Sequence, residues 1–352
     1  KPVAPAPVAQ PQPTSPPAPA APAAAPQPTE RERLVEAYKG ALDTDRTFKT
    51  ADELRKYGAE ALGVDPSARY LKKMAEEAYE VAVVSKARET VASDREAGVD
   101  AADTYDKIVD QYEKQKSLNT RTSTSIDKQQ FSTPSPLAYL ANSLIDVQPS
   151  DAVYDAAAGN GMLLIGSDNP VANEIDKERA QALESQGIAA TTEDGRTYLP
   201  PESVDKVIVN PPFGEQRAGE KKVTVGAEGR KFETAYRDQA ISLQALEALE
   251  DDGKAVLIIG SPQHKNEKKT KEDRARAYIT KKNGRFFKHL YKHYNVTDHF
   301  TVGGNLYAKQ GTKFPVDVIV VEGRGKSSRA LPNQPSKGGL PQIFTQWEDL
   351  KN

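Results

Sequence analysis

The sequence predicts an α/β protein with a Rossmann-like, seven-stranded, mostly parallel sheet and an N-terminal helical extension. Between about residues 121 and 325, short apolar runs alternate with polar segments of helical periodicity, as in parallel sheets covered by helices on both faces. Apolar residues between 30 and 116 recur at helical spacing instead. The predicted strands are Ala152–Tyr154, Val171–Ile175, Ile188–Thr192, Lys206–Val209, Ala255–Ile259, Val296–Val302 and Val316–Val321, and a helix is predicted over Gln239–Leu249.

Composition divides the 352 residues into four segments. Residues 1–29 are almost entirely Pro, Ala, Gln and Val and predict an extended linker, with a Pro-rich ligand for a recognition domain as the alternative. Residues 30–116 form a helical accessory region, and residues 117–325 form the α/β domain. Residues 326–352 are rich in Ser, Pro, Lys and Gly and predict a linker-like tail.

The residue counts exclude several kinds of chemistry. The chain has no cysteine, so disulfides, thiolate metal sites and cysteine nucleophiles are ruled out. No apolar run reaches the ~18 residues of a membrane span. His289 and His293 have the spacing of a helical metal pair, but no third ligand follows, so we predict no metal site.

Acidic residues follow the first predicted strands. Asp155 ends the first strand and precedes a turn containing Gly159 and Gly161. Ligands bind where the strands of an open parallel sheet end, and glycines there let the backbone approach the ligand closely. Glu174 ends the second strand, where an acid commonly accepts hydrogen bonds from both ribose hydroxyls. Asp194 follows the third strand and is suited to accept a bond from an adenine amino group. This pattern predicts a nucleoside site.

Two alternatives remain open for these acids. The glycine turn is equally consistent with a tight turn that binds no ligand. Asp176, which closely follows Glu174, is suited to cap the next helix.

The most specific motif is Asn210–Phe213, read Asn-Pro-Pro-Phe, at the end of the fourth strand. The prolines remove two N–H donors and leave carbonyl oxygens free to accept. The Asn210 side-chain oxygen and the Pro211 carbonyl can then accept bonds from one planar NH2 group. That would expose the lone pair of the amine nitrogen for attack on a methyl sulfonium, and Phe213 offers a face for a flipped base. The alternative is an ordinary Pro-Pro turn.

Asn210–Phe213 resembles the catalytic motif of the N6-adenine and N4-cytosine DNA methyltransferases. Asp155–Gly161 resembles their S-adenosylmethionine (AdoMet) motif, with Ala156 where many members have proline, and Gln130–Pro134 resembles the segment that closes over the cofactor. Their order is that of the gamma-type adenine enzymes. More narrowly, Phe131–Leu140 and Ala158–Leu164 are similar to a phage and plasmid group of antirestriction-type or Strawberry-notch-type proteins, which fuse a methyltransferase to a helicase.

The resemblance implies a class I AdoMet-dependent methyltransferase acting on N6 of adenine in double-stranded DNA, with the target base flipped. It implies direct transfer without a metal, a helicase domain in the same parent protein, and protection of phage or plasmid DNA from restriction in the bacterial cytoplasm or from within a phage particle. The implied AdoMet-binding residues are Phe131, Thr133, Asp155, Ala156, Gly159, Gly161, Glu174 and Asp194. The implied catalytic residues are Asn210, Pro211, Pro212 and Phe213.

A basic stretch from His264 to His293 contains eleven Lys or Arg residues and three acids. It follows a strand that should end at the active-site edge, so it predicts phosphate contacts, with a solvated loop and helix as the alternative. Aromatic residues within it are predicted to belong to the core. The predicted nucleic-acid contacts are Lys265, Lys268, Lys269, Arg274 and Arg276.

Rival functions share the Asn-Pro-Pro-Phe motif. The same four residues occur in methyltransferases for protein glutamine and for guanine in structured RNA. An inactive module that only binds DNA is a further alternative. The basic stretch favours a nucleic acid.

Overall fold

A computed structural model describes residues 27–117, 132–215, 221–265 and 269–351. Its helices are α1 (Glu30–Asp43), α2 (Ala51–Leu62), α3 (Arg69–Glu96), α4 (Ala101–Lys114), α5 (Ser135–Leu144), α6 (Lys177–Ser185), α7 (Arg237–Glu247), α8 (Lys271–Arg276) and α9 (Lys281–His293). Its strands are β1 (Ala152–Asp155), β2 (Asn169–Asn173), β3 (Ala190–Thr191), β4 (Val204–Val209), β5 (Val223–Val225), β6 (Phe232–Thr234), β7 (Leu249–Gly260), β8 (Tyr294–Val302), β9 (Val316–Arg324) and β10 (Ile343–Phe344).

The main sheet has the strand order β10-β8-β9-β7-β4-β1-β2-β3. Only β9 runs against its neighbours, and the other neighbouring pairs are parallel. The predicted mostly parallel α/β fold is therefore confirmed, although the described sheet has eight strands rather than seven. The order reverses between β1 and β4, which is where ligands bind in open α/β sheets.

The central strands read as continuous apolar runs because helices cover both faces. Val207, Ile208 and Val209 in β4 are fully buried, as expected for a parallel strand packed on both sides. Ile208 faces the layer that holds α5, and its two neighbours face the layer that holds α7. The carboxyl ends of β1, β2, β4 and β7 consequently lie at one edge.

The N-terminal region is helical, as predicted, but it is not separate from the α/β domain. Helices α1 and α2 pack with the first half of α3 in a cluster of their own. The second half of α3 and α4 instead bury Val91, Ile108 and other residues in the main core. Tyr112 of α4 donates to the carbonyl of Leu306, 2.9 Å away. Part of the helical region thus belongs to the core of the α/β domain.

The segment after residue 325 is folded, so the prediction of a linker-like tail is wrong for residues 326–351. Strand β10 pairs in parallel with β8. Trp347 is only 3% exposed and meets Tyr112 edge-to-face at 5.6 Å. Its carbonyl accepts a hydrogen bond from Tyr105. Composition suggested a linker because the few apolar residues that anchor this segment are spaced far apart.

Candidate active site

The turn after β1 has the backbone geometry that the two glycines predict. Gly159 and Gly161 have φ values of 56° and 89°, which are left-handed and favour glycine. The N–H of Gly159 donates to Glu174 Oε2 at 2.8 Å, and the N–H of Asp176 donates to Oε1 at 2.7 Å. Glu174 therefore holds the turn in place from β2. Asp176 also caps α6 through its side chain, as the alternative prediction had it.

Asn173 joins the ends of three strands and was missed by sequence reasoning. Its amide donates to the carbonyls of Ala156 and Glu193, both at 3.0 Å. Its side-chain oxygen accepts from the Thr191 hydroxyl and the Glu193 N–H. The side chain is buried and fully hydrogen-bonded, so it fixes the spacing of the strand ends. A polar residue at the end of an apolar strand was the available signal.

Asp155 lies at the end of β1 and is 1% exposed. The pKa of its carboxyl is raised to about 8, mainly by burial; the Ala157 N–H opposes the shift, and the nearby charge of Glu174 contributes to it. No cationic side chain among the described residues pairs with it. The site consequently holds a buried acid that a cationic ligand would ionise.

Asn210 is half-buried at the end of β4, and its amide donates to the Thr133 hydroxyl at 2.9 Å. Its side-chain oxygen is inaccessible to solvent and has no hydrogen-bond partner in the described part of the chain. Such an acceptor is costly to leave unpaired. The arrangement therefore leaves a buried, unpaired acceptor on a residue that lines the crevice.

Tyr307 lies near this asparagine, and the sequence analysis did not identify it. The ring is fully buried, and burial raises the pKa of its hydroxyl well above the usual range. The Asn210 side chain opposes this shift, although no hydrogen bond of ordinary geometry forms with the hydroxyl. A second unpaired polar group therefore borders Asn210.

Phe213 packs on the backbone at the end of β7. A methyl group added at Gly260 would lie 3.4 Å from Phe213 Cγ, so the ring is in contact with this glycine. The loop after Phe213 is held by α7, because the N–H of Arg237 donates to the carbonyl of Gly214 at 3.0 Å. Burial raises the pKa of Asp238, at the start of the same helix, to about 6. Gly260 contacts the ring of Phe213, and Asp238 hydrogen-bonds to the backbone of Gly214. Both residues therefore support Asn210–Phe213, and the sequence analysis identified neither.

Asp194, which was predicted to accept from an adenine amino group, is paired with a cation of the protein. Its carboxylate receives the guanidinium of Arg196, with N–O distances of 2.7 and 3.0 Å. Burial raises the pKa of Asp194, but the hydrogen bonds from Arg196 outweigh it and leave the value lowered. The ion pair occupies the oxygens that were expected to accept from an adenine amino group.

Thr133, Asp155, Gly159 and Asn210 line one crevice together with Glu80 and other residues. The four predicted residues come from three separate segments, with Asp155 and Gly159 in the same one, so the fold brings the segments together as expected. Helix α3 supplies Glu80, which the sequence analysis had placed in an accessory region. The Ser132 hydroxyl donates to Glu80.

The crevice is narrow in this conformation. Its cavity volume is about 40 Å³, enough for a few water molecules but smaller than a nucleoside. Arg179 lies over the turn, with a guanidinium nitrogen 3.3 Å from the position of a Cβ on Gly159. The crevice combines a buried acid, a glycine turn and an unpaired acceptor, which suit AdoMet and an amine substrate. For AdoMet to enter, side chains at the mouth such as Arg179 have to move.

The basic stretch is only partly available for phosphate. Arg274 is half-buried and donates to Gln263 Oε1 at 2.5 Å and to the Pro341 carbonyl at 2.7 Å, so much of its donor capacity is used within the protein. Lys269 and Arg276 are exposed, with Arg276 3.3 Å from Asp273. Phe286 and Phe287 are buried, which confirms their assignment to the core.

Some predictions lie outside the described residues. These are Phe131, Lys268, the side chain of Lys265 and residues 1–26 of the linker. The positions of Pro211 and Pro212 at the end of β4 are as predicted, but neither lines the crevice. Within the described ranges, no three His, Cys, Asp or Glu side chains are grouped for a metal ion, and no helix is long and apolar enough to cross a membrane.

Comparison with known families locates the similarity in the same part of the chain. Residues 103–196 match the family described as N-6 DNA Methylase. The resemblance to N6-adenine DNA methyltransferases is thereby confirmed for this segment, which begins in α4 and includes the glycine turn. The match ends before Asn210, so Asn210–Phe213 lies outside the matched residues.

The described mostly parallel sheet, with β9 as its antiparallel strand, agrees with the predicted Rossmann-like fold. Among curated proteins, none matches the chain. A solved structure described as a modification subunit of a type I restriction enzyme from Vibrio vulnificus is 14% identical, with a TM-score of 0.44. The alignment covers 78% of this chain and 54% of that one, so the chain spans about half the length of that protein.

Two further solved structures are similar to the chain. An RNA methyltransferase from Pyrococcus horikoshii is 22% identical over 62% of this chain and 98% of its own, with a TM-score of 0.41. A class I methyltransferase from Listeria monocytogenes is 11% identical over 92% and 98% of the two chains, with a TM-score of 0.44. Likenesses this distant do not decide the substrate.

Proposed function

We propose that the protein transfers a methyl group from AdoMet to the N6 amine of adenine in DNA. The observation that carries the proposal is the buried, unpaired side-chain oxygen of Asn210. It lies at the topological switch of the sheet, in the crevice that Asp155 and Gly159 also line. An amide oxygen in this position can accept a hydrogen bond from an amine N–H. It is not a general base, so it would not deprotonate a hydroxyl nucleophile.

The cofactor would be held by residues on the strand ends. Asp155 would face its cationic part, and the Gly159–Gly161 turn would let its nucleoside approach the backbone. Glu174 retains lone pairs on both carboxylate oxygens for ribose hydroxyls, because each now accepts one backbone N–H. Arg179 would leave the turn when the nucleoside enters.

Bound AdoMet supplies a methyl group activated by a positive sulfonium. Asn210 would accept one N–H bond of the target amine and orient its lone pair. The Pro211 carbonyl, which does not line the crevice in this conformation, would accept the second N–H bond once the mouth of the crevice has opened. Thr133 would keep the Asn210 amide turned so that its oxygen faces the amine. Much of the rate would then come from positioning, which can supply ~7–11 kcal/mol of a barrier.

The biological role is a further part of the proposal. We place the enzyme in a bacterial host, where it would protect phage or plasmid DNA from restriction as part of a longer protein that also carries a helicase.

Labelled AdoMet tests the proposal against its rivals. The full chain and tritium-labelled AdoMet would be incubated separately with unmethylated DNA, structured RNA and a glutamine-containing protein extract. The tritium incorporated into each substrate would then be counted. We expect label in DNA, recovered as N6-methyladenine after nuclease digestion. Label confined to RNA or protein would replace the proposed substrate, and binding without transfer would favour an inactive module.

A further inference from the structure

Helix α9 carries a row of positive charge along one face. Its buried side consists of Phe286, Phe287 and neighbouring apolar residues. The opposite face exposes side chains at positions i, i+4, i+7 and i+11, which lie on one stripe of an α-helix. These four residues, called the basic stripe below, are Lys281, Arg285, Lys288 and Lys292.

The basic stripe is not neutralised within the protein. Helix α9 contains no Asp or Glu, and in the described ranges no ion pair engages any of the four side chains. Like charges three or four residues apart destabilise a helix. Positive charge in its first turn also opposes the helix dipole. A row of this kind, kept on a well-packed helix, points to an anionic partner.

The helix begins beside the catalytic motif. Lys282, in the first turn, lies with its ammonium 3.6 Å from the centre of the Tyr236 ring, and the charges of Asp238 and Glu215 act on it. Glu215 follows Phe213 by two residues. The basic stripe therefore starts at the active-site edge and runs away from it.

Two neighbouring elements fix the helix and extend its charge. Phe232 of the β5–β6 hairpin lies 4.8 Å from the His289 ring and beneath the guanidinium of Arg285. At the far end, the Gly325 N–H bonds to the His293 carbonyl, which brings the exposed Lys326 to the end of the stripe.

We propose that the basic stripe binds the phosphate backbone of the DNA that flanks the target base. From Lys281 to Lys292 the helix rises about 17 Å at 1.5 Å per residue, which is the length of about five base pairs at 3.4 Å each. Contacts of this kind hold the duplex in register without reading its sequence. The inference rests on the proposed function, because it assigns DNA as the partner of the same site.

Salt dependence of binding gives the test. The affinity of the full chain for an unmethylated 20-bp duplex would be measured by fluorescence anisotropy at several salt concentrations, for the protein and for a Lys288→Gln/Lys292→Gln variant. Each phosphate contact contributes about 0.9 to the slope of log affinity against log salt. We expect the slope to fall by about 1.8 in the variant, with AdoMet binding unchanged.

A matched control uses two exposed lysines of the helical region, Lys56→Gln/Lys72→Gln, which removes the same charge and should leave the slope unaltered. An unchanged slope in the stripe variant, or an equal loss in the control, overturns the proposal. Methyl transfer is scored separately. A protein that binds DNA through the stripe but transfers no methyl group overturns the proposed function and leaves the stripe intact.

Discussion

The amide of Asn210 donates to the hydroxyl of Thr133 at 2.9 Å, across 77 residues of sequence. In this arrangement the amide NH2 end of the asparagine side chain faces the hydroxyl. The oxygen is thereby left as a buried acceptor without a partner in the described structure. The account of the site depends on that orientation.

Removing the Thr133 hydroxyl should slow methyl transfer more than it weakens cofactor binding. In Thr133→Val, Asn210 loses the bond that orients it, and a misplaced reacting group costs about 10²-fold in rate. Thr133→Ser is the matched control, because it keeps the hydroxyl and should retain most of the activity. Steady-state kinetics would show the loss in kcat, and an equal loss in the serine variant would contradict the orienting role.

Binding of a cationic cofactor should release a proton from Asp155 near neutral pH. The pKa of its buried carboxyl is about 8, so the group is largely protonated at pH 7, and a nearby positive charge would ionise it. Calorimetric titration with AdoMet in two buffers of different ionisation enthalpy would report the proton release. Asp155→Asn should show none, and identical apparent enthalpies for the unaltered protein would count against this arrangement.

Because of Asp155, the free energy of unfolding of the protein should fall as the pH rises. The carboxyl has a pKa of about 8 when folded and an ordinary value of 3.8, so the folded state binds the proton more tightly. Below pH 3.8 both states are protonated, and between 3.8 and 8 the free energy of unfolding falls with pH. Thermal melts from pH 5 to 9 should show a smaller decline in Asp155→Asn. Parallel declines would contradict the prediction.

The contact between Gly260 and Phe213 should tolerate one added carbon but not a branched side chain. A Cβ at Gly260 would sit at ordinary contact distance, 3.4 Å from Phe213 Cγ. Gly260→Ala should therefore keep its activity, whereas Gly260→Val should displace the ring and raise KM for DNA. AdoMet affinity is the control and should stay constant in both variants. A Gly260→Val variant with normal KM would show that the ring does not depend on this glycine.

The folded tail should contribute directly to stability. Trp347 is 3% exposed, and truncating a buried tryptophan to alanine costs about 3–5 kcal/mol. Its indole N–H is buried without a partner in the described structure, so Trp347→Phe should cost much less. Denaturant unfolding of both variants would separate the two expectations, and similar stabilities for Trp347→Ala and the unaltered protein would show that the tail is dispensable.

The sequence predicts the main sheet and the turns at the carboxyl ends of its strands well, because both depend on local patterns. The apolar runs of β4 and β7 and the glycines at 159 and 161 require no knowledge of distant residues. The tail escaped prediction because its anchoring comes from contacts such as that between Tyr105 and Trp347, which are 242 residues apart.

Side-chain pairing was the least predictable feature of the site. Arg274 and Arg276 look alike in the sequence, but one is bonded to Gln263 inside the fold and the other is exposed. Asp194 looks like a free strand-end acid, yet Arg196 occupies it. Such outcomes depend on which partner the fold brings within reach, and local spacing does not reveal this.

The most direct test of the central claim compares the unaltered protein with Asn210→Ala on unmethylated DNA and saturating AdoMet. Nucleosides from the digested DNA would be quantified by mass spectrometry, with AdoMet binding measured in parallel. The account predicts N6-methyladenine from the unaltered protein and a loss of at least about 10²-fold in the variant, the scale seen when one preorganised polar contact is removed, with cofactor binding retained. Equal amounts of N6-methyladenine from both proteins would contradict it.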